Sequence, residues 1–249
     1  MHRRRRRFFC RSERNYHSVS DEERAFMPDP DTNEFLQAKL IKVLQQVAED
    51  MIAAEGEFQA LDAALGDGDL GVTARMGFQA IRDVCQKSGE TQTSDIGNLL
   101  SAAGIAFMNA NASTMGTLMG TAWLRAGKVA AGKTSLTLGD AVAMCRAAAE
   151  GIQRRGKAQL GDKTMLDAIF PACDALAAAA QSGKACVEAF GLAAEAAERG
   201  VKETTPLQSQ VSRASWLQER SKGLPDPGAS LCARLFQSIA NRLGGAGNR

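Results

Sequence analysis

Apolar residues recur every three or four positions along most of the chain, the spacing of one buried face of an α-helix. Stripes of this kind predict helices over about 34–55, 72–87, 95–109, 114–126, 138–155, 164–181, 184–202 and 227–243. Asp226 is a predicted N-cap with Pro227 as the first helical residue, and Pro171 predicts a kink in its helix. No segment alternates convincingly as a strand would. The pattern therefore predicts an all-α fold of about eight amphipathic helices.

Composition agrees with packed helices and divides the chain. Hydrophobic residues make up 45% and aromatic residues only 5% of the 249 residues, which favours closely packed helices over a sheet. We expect a basic, disordered tail at 1–33, one helical domain at 34–243 and a flexible end at 244–249. A polar loop at 203–225 is longer than usual connections, which marks it as functional or mobile.

The arginine run at 3–7 allows several interpretations: a nucleic-acid arm, a nuclear signal, an organelle presequence, or a disordered tail ahead of a true start at Met27. The last is favoured. The net charge of +2 is near neutral, so the whole chain does not have a nucleic-acid-binding composition. No apolar run of about 18 residues occurs, so no membrane span is expected.

The six cysteines contain no Cys-x-x-Cys pair, and all except Cys10 lie in predicted helices, where cysteine is a small core residue. This distribution argues against a metal site or a disulfide framework, and it indicates a reducing compartment and a cytoplasmic location. Both histidines, His2 and His17, lie in the tail. The predicted domain therefore has no histidine for general acid–base chemistry.

The chemistry is concentrated in the acidic turn, residues 61–73, which separates two helical patterns. Asp62, Asp67 and Asp69 fall within eight residues and are interleaved with glycines. Crowded carboxylates repel one another unless a cation neutralises them, and magnesium prefers such oxygen ligands. The N–H groups that open the helix after Gly71 suit an anion. These features indicate a magnesium–phosphate site, and a solvated acidic turn remains the alternative.

Other acidic or glycine-rich motifs fit the acidic turn poorly. An EF-hand loop that begins at Asp62 needs a glutamate at its twelfth position, where this chain has Thr73. A dinucleotide fingerprint needs a preceding strand, and the pattern before Asp62 is helical.

Four ordered motifs resemble one family. Leu-Asp-x-x-x-Gly-Asp-Gly-Asp-x-Gly at 61–71 is similar to the metal motif of the nucleotide-binding subunit, or L domain, of dihydroxyacetone kinases. Similar stretches follow in the expected order at 116–127, 161–172 and 213–229. The match covers roughly 34–243, and four motifs in order are far more specific than any single one.

The resemblance implies a barrel of eight antiparallel helices with the nucleotide, ADP or ATP, at one mouth. It implies Mg²⁺ ligands at Asp62, Asp67 and Asp69. It implies nucleotide contacts at Leu70, Gly71, Val72, Thr73, Thr114, Met115, Gly156, Met165, Arg213, Asp226, Pro227 and Gly228. Residues 70–73 and 114–115 would meet phosphates, the Thr73 hydroxyl among them, and Gly156 and Met165 would line the adenine side. Met165 also fits an apolar stripe, and Arg213 also fits a surface ion pair.

The chain departs from the family pattern at two places. Leu70 stands where the family commonly has a histidine, and Ala112, Ser113 and Met115 stand where it has Gly-Gly and a serine. Backbone N–H contacts tolerate such changes, whereas hydroxyl contacts do not. The departures indicate a divergent branch, and they leave the triose substrate open. Asp162 and Asp167 are interpreted as structural helix-start residues.

The function implied is that of the nucleotide-binding half of a two-component kinase for dihydroxyacetone or a related short keto sugar. A separate sugar-binding kinase subunit would hold the sugar through a histidine. The donor would be either ATP or a bound ADP that a phosphotransferase-system protein recharges. The alternative is a non-catalytic nucleotide-binding module that docks to a regulator. The resemblance is compatible with a homodimer, and nucleic-acid binding depends on the arginine run alone.

Overall fold

Helices account for most of the chain in the computed structural model, which describes residues 35–91, 95–211 and 213–245. The α-helices are α1 Gln37–Ala53, α2 Glu55–Leu65, α3 Leu70–Thr91, α4 Ile96–Ala110, α5 Thr114–Val129, α6 Leu138–Gly156, α7 Leu166–Gln181, α8 Cys186–Thr204 and α9 Pro227–Leu243. A 3-10 helix, Arg213–Ser221, lies within the polar loop. The all-α class is confirmed, and the predictions for 1–33 and 246–249 lie outside the described residues.

Two local predictions were wrong. Short strands β1, Phe35–Leu36, and β2, Ser135–Leu136, pair antiparallel, and two-residue strands leave no periodic signal. The first predicted helix also ends earlier, at Ala53. The chain bends at Ala54, while Gly56 lies inside α2. The segment that carries Asp62 is therefore a separate helix.

The helices pack in a closed order. α1 contacts α3, each helix from α3 to α9 contacts the next, and α9 contacts α1 again, while α2 packs on α3. Arg242 of α9 fastens the closure by donating to Asp50 of α1, which also accepts a hydrogen bond from Ser238 at 2.6 Å. Burial of Asp50 opposes its ionisation, but these hydrogen bonds hold its pKa below the ordinary value. The order is compatible with the barrel that the resemblance implies.

The ring encloses an apolar core and a cavity of about 230 Å³. Phe78 and Phe107 meet edge to face with their ring centroids 5.3 Å apart. Cys145 of α6, which lines the cavity, forms a disulfide bond with Cys173 of α7. The prediction that argued against disulfides was therefore wrong for this pair. The helical pattern placed both cysteines inside but did not show that they face each other. The cysteines therefore no longer support the inference of a reducing compartment.

Side-chain caps begin four of the described helices, α4, α5, α6 and α9. Asp226 caps α9 by accepting a hydrogen bond from the Ala229 N–H, and Pro227 is the first helical residue, as predicted. α5 continues past its predicted end at 126 to Val129. Gly127 instead permits close packing of α5 on α4, since a β-carbon there would collide with Ser101. α7 is assigned as one helix through Pro171. No helix in the described ranges is both long and apolar enough to cross a bilayer.

Candidate nucleotide and metal site

The acidic turn gathers three carboxylates at one point. Asp62 lies on the last turn of α2, and Asp67 and Asp69 lie between α2 and α3. One oxygen from each carboxylate lies within 4.8 Å of the others. Asp62 is partly buried, whereas Asp67 and Asp69 are exposed. This set of hard oxygen donors fits a divalent cation such as Mg²⁺.

Short local contacts shape the acidic turn. The Leu70 N–H donates to the Asp62 carboxylate at 3.2 Å, and Gly68 has a φ of 76°, which favours glycine. Gly71 permits a close approach of α2 and α3, since a β-carbon there would lie 2.9 Å from Gln59 Cβ and nearer still to the Glu55 carbonyl oxygen. The glycines thus serve the backbone path and the helix contact.

Two helix N-termini converge beside the carboxylates. The Thr73 hydroxyl, in the first turn of α3, accepts a hydrogen bond from Asn111 at 2.7 Å and lies 3.4 Å from the Ser113 hydroxyl. Ser113 caps α5 by accepting a hydrogen bond from the Gly116 N–H. Partial positive charge at both helix starts favours a bound anion between them.

The structure separates the predicted phosphate contacts into two groups. The Leu70 and Thr73 N–H groups are bonded to Asp62 and Asp69, and both side chains are buried. The Thr73 hydroxyl, predicted to meet phosphate, is occupied by its neighbours. Gly71 and Val72 have no backbone partner for their N–H groups within the described chain. They are the donors of α3 best placed for an anion.

The departures from the family pattern have structural explanations. Leu70, where the family has a histidine, is 3% exposed and packs in the core. Ser113 uses its hydroxyl as a helix cap rather than presenting it to the site. Thr114 is exposed, and Met115 is partly buried at the start of α5. The second turn therefore offers chiefly backbone donors.

Arg213 connects the polar loop to the carboxylates. Its guanidinium forms an ion pair with Asp67, although Arg213 follows Asp67 by well over a hundred positions in the chain. The two side chains are 59% and 46% exposed. Arg213 does form a surface ion pair, which was one interpretation of this residue, but its partner Asp67 is a predicted metal ligand. A guanidinium beside a predicted magnesium site is also a suitable group for phosphate recognition.

Three further predicted positions, Met115, Met165 and Gly228, lie close together. A β-carbon on Gly228 would lie 3.0 Å from Met115 Cε and 3.5 Å from Met165 Cβ, so these residues are neighbours. Met165 is buried, in agreement with a core role. Gly156 is the exposed last residue of α6 and faces Leu118 of α5.

A buried acidic residue, Asp226, lies beside Gly228. Asp226 is buried at the start of α9, and burial, reinforced by the nearby Asp167 carboxylate, raises its pKa to about 7. Asp167 accepts hydrogen bonds from the Gly161 and Thr164 N–H groups, so its structural interpretation agrees with its contacts.

Two residues that the sequence argument did not assign to the site have clear contacts. Asn111 donates a hydrogen bond to the Thr73 hydroxyl, and its place in the short connection before the predicted phosphate contacts Thr114 and Met115 was the available signal. Lys163 is 1% exposed and bonded to three backbone carbonyls of the polar loop. No sequence pattern showed that burial, because its partners are more than forty residues away.

The chain is similar to proteins of one family. The DAK2 domain family model matches residues 64–241. The ADP-binding subunit DhaL of the PEP-dependent dihydroxyacetone kinase of Escherichia coli (strain K12) is 33% identical over 192 residues, which cover 77% of this chain and 90% of that protein. The human triokinase/FMN cyclase is 30% identical over 205 residues, covering 82% of this chain but 35% of that protein.

Solved structures show the same fold. The dihydroxyacetone kinase of C. freundii in its native form superposes with a TM-score of 0.64 at 23% identity, over 95% of this chain and 38% of that one. Its complex with AMP-PNP and Mg²⁺ gives a TM-score of 0.61 at 24% identity, over 96% of this chain and 38% of that one. From the family match and the identity to the bacterial subunit, the chain belongs to the DAK2 domain family of dihydroxyacetone kinase nucleotide-binding subunits.

Proposed function

We propose that this chain is the ADP/ATP- and magnesium-binding subunit of a two-component kinase that phosphorylates dihydroxyacetone or a related short keto sugar. The observation that carries the proposal is the cluster of Asp62, Asp67 and Asp69 beside the N-termini of α3 and α5. A cation site next to two anion-favouring helix starts suits a magnesium-bound polyphosphate. The named bacterial relative, an ADP-binding subunit, supports this.

Each predicted residue then has a role. Asp62, Asp67 and Asp69 would hold Mg²⁺, which supplies positive charge that neutralises phosphate oxygens when bound. Gly71 and Val72 would donate backbone N–H groups to phosphate. Leu70 and Thr73 keep the α3 terminus in place. The other positions keep the roles that the family resemblance implies. Thr114 and Met115 would meet phosphate, Gly156 and Met165 would line the adenine side, and Arg213, Asp226, Pro227 and Gly228 would make the remaining nucleotide contacts.

Sugar binding requires another protein surface. Both histidines of the chain, His2 and His17, precede the described residues, so the described domain has no histidine to hold a keto sugar. The triokinase and erythrulose kinases that match this chain are about three times as long as the matched part. Phosphoryl transfer needs donor and acceptor aligned, so a sugar-binding subunit would dock over the carboxylates and the polar loop.

The names of the relatives suggest two routes for the phosphoryl donor. Two bacterial relatives are named PEP-dependent, which supports recharging of bound ADP by a phosphotransferase-system protein. The longer kinases leave exchange of free ATP as the competing route. A homodimer and a cytoplasmic location stay predictions.

Calorimetry and reconstitution test the proposal. The chain should bind ADP with MgCl₂ and lose that affinity in EDTA. Alone with ATP it should phosphorylate dihydroxyacetone and erythrulose negligibly, and a cognate sugar-binding subunit should restore turnover. Robust turnover by the isolated chain would refute the two-component reading. Tight ADP binding with silence alongside every cognate partner would favour the regulatory module instead.

A further inference from the structure

Lys163 is among the largest fully buried side chains in the described chain, which is unusual for a lysine. Its ammonium donates to the carbonyl oxygens of Thr205, Leu207 and Ser221 at 2.9, 2.9 and 2.7 Å. An ammonium group has three donors, so all three are used. Such saturation offsets much of the cost of burying the charge.

The three carbonyls lie on both sides of the polar loop. Thr205 and Leu207 precede the 3-10 helix, and Ser221 is its last residue. Two further bonds close the same base: the Gly223 N–H donates to the Thr205 carbonyl at 2.9 Å, and the Ser209 N–H donates to the Ser221 hydroxyl at 3.0 Å. Lys163 therefore ties the entrance of the loop to its exit.

The opposite end of this loop reaches the nucleotide site. Arg213 opens the 3-10 helix and pairs with Asp67, and the 3-10 helix contacts α2, which carries Asp62. The position of the guanidinium thus depends on how the loop is anchored. Arg213 itself is exposed, so packing of its own side chain does little to fix it.

A constrained turn presents Lys163 to the loop. Its φ of 62° is left-handed, a backbone conformation that residues other than glycine rarely adopt. Asp167 holds the turn by accepting from the Gly161 and Thr164 N–H groups, and the Asp162 carbonyl accepts from Gln210 of the loop. Burial lowers the pKa of Lys163, and the Asp226 carboxylate opposes that effect. Strain of this kind persists only where the surroundings impose it.

We propose that Lys163 is a positioning residue: it closes the base of the polar loop and so holds Arg213 where the nucleotide's terminal phosphates bind. The proposal rests on the proposed function. Lys163 does not contact the phosphates, because its three donors are engaged with carbonyls. Lys163 acts on nucleotide binding through Arg213. A general loss of stability would instead weaken binding whether or not Arg213 is present.

A double-mutant cycle separates these two roles. The variants are Lys163→Met, Arg213→Ala and the pair, with Lys222→Met as control, because Lys222 is an exposed lysine of the same loop that pairs with Glu219. ADP affinity is measured by calorimetry with excess MgCl₂. Lys163→Met should weaken ADP binding about tenfold in the wild-type background and negligibly in the Arg213→Ala background. Lys222→Met should leave affinity unchanged.

The melting temperature provides the contrasting readout, since Lys163→Met should lower it equally in both backgrounds. An equal loss of ADP affinity with and without Arg213 would overturn the positioning role, as would unchanged affinity in Lys163→Met. If that variant does not fold, Ser221→Ala loosens the same base and should show the same coupling to Arg213.

Hydrogen exchange distinguishes failure of this inference from failure of the proposed function. Lys163→Met should raise amide exchange across 205–223 while α3 stays protected, with no nucleotide present. If wild-type protein binds no ADP, the proposed function and the phosphate-positioning role fall together, and raised exchange still establishes the loop anchor. If ADP binds but exchange in the loop is unchanged by Lys163→Met, the anchor itself is wrong.

Discussion

The acidic turn and the polar loop meet at the Asp67–Arg213 ion pair, but different kinds of contact hold them. The shape of the acidic turn depends largely on bonds among near neighbours, such as Leu70 to Asp62 and Thr73 to Asp69. The polar loop depends on Lys163, 42 to 58 positions from its acceptors. Contacts among near neighbours, as in the acidic turn, produce a motif that can be recognised in the sequence. Contacts between distant residues, as those of Lys163, produce no motif.

The largest expected effect concerns the carboxylates of the acidic turn. Asp69→Asn removes one ligand and should weaken magnesium-dependent ADP binding by more than about 100-fold, because ligand loss costs more than loss of a supporting contact. Less repulsion among the carboxylates should leave the melting temperature equal or higher. Calorimetry with MgCl₂ measures the affinity. Asp83→Asn, at an exposed aspartate on α3, should change neither quantity. Unaltered ADP affinity in Asp69→Asn would remove the metal assignment.

A smaller effect is expected where the acidic turn meets its own helices. Gly71→Ala places a β-carbon against the Glu55 carbonyl and Gln59, so it should destabilise the fold by about 1–3 kcal/mol. Gly89→Ala in the same helix meets no atom within 4 Å and should stabilise by about 0.5–1 kcal/mol. Urea unfolding measures both. Equal effects of the two substitutions would show that α2 and α3 do not require the close approach at Gly71.

The comparison also explains what the sequence could reveal. The periods of apolar residues located the helices, and the Asp226 cap with Pro227 was evident because both act within one helical turn. The first helix was predicted to run to about residue 55, whereas it ends at Ala53 and the chain bends at Ala54. The Cys145–Cys173 bond and the Thr73–Ser113 contact arise only when distant helices pack together. Spacing along the chain cannot report such pairs.

A further effect concerns the buried ionisable groups Asp226, Asp167 and Lys163. Burial raises the pKa of Asp226 to about 7, with Asp167 adding to the shift and Lys163 opposing it. The folded state then binds more protons than the unfolded state between about pH 4 and pH 7, so this group makes stability fall as pH rises through that window. Asp226→Asn keeps an oxygen for the Ala229 N–H but cannot ionise.

The stability of Asp226→Asn relative to wild type should therefore increase from pH 5 to pH 7 and level off above it, as followed by urea unfolding at each pH. Asp140 is the control of opposite sign. Its burial is outweighed by hydrogen bonds from Thr137 and Lys133, so its pKa is lowered. Asp140→Asn should lose stability relative to wild type above about pH 4, and that loss should shrink on acidification. A flat difference for Asp226→Asn across pH 5 to 7 would mean that Asp226 is ionised throughout that window in the folded state, so that burial does not raise its pKa.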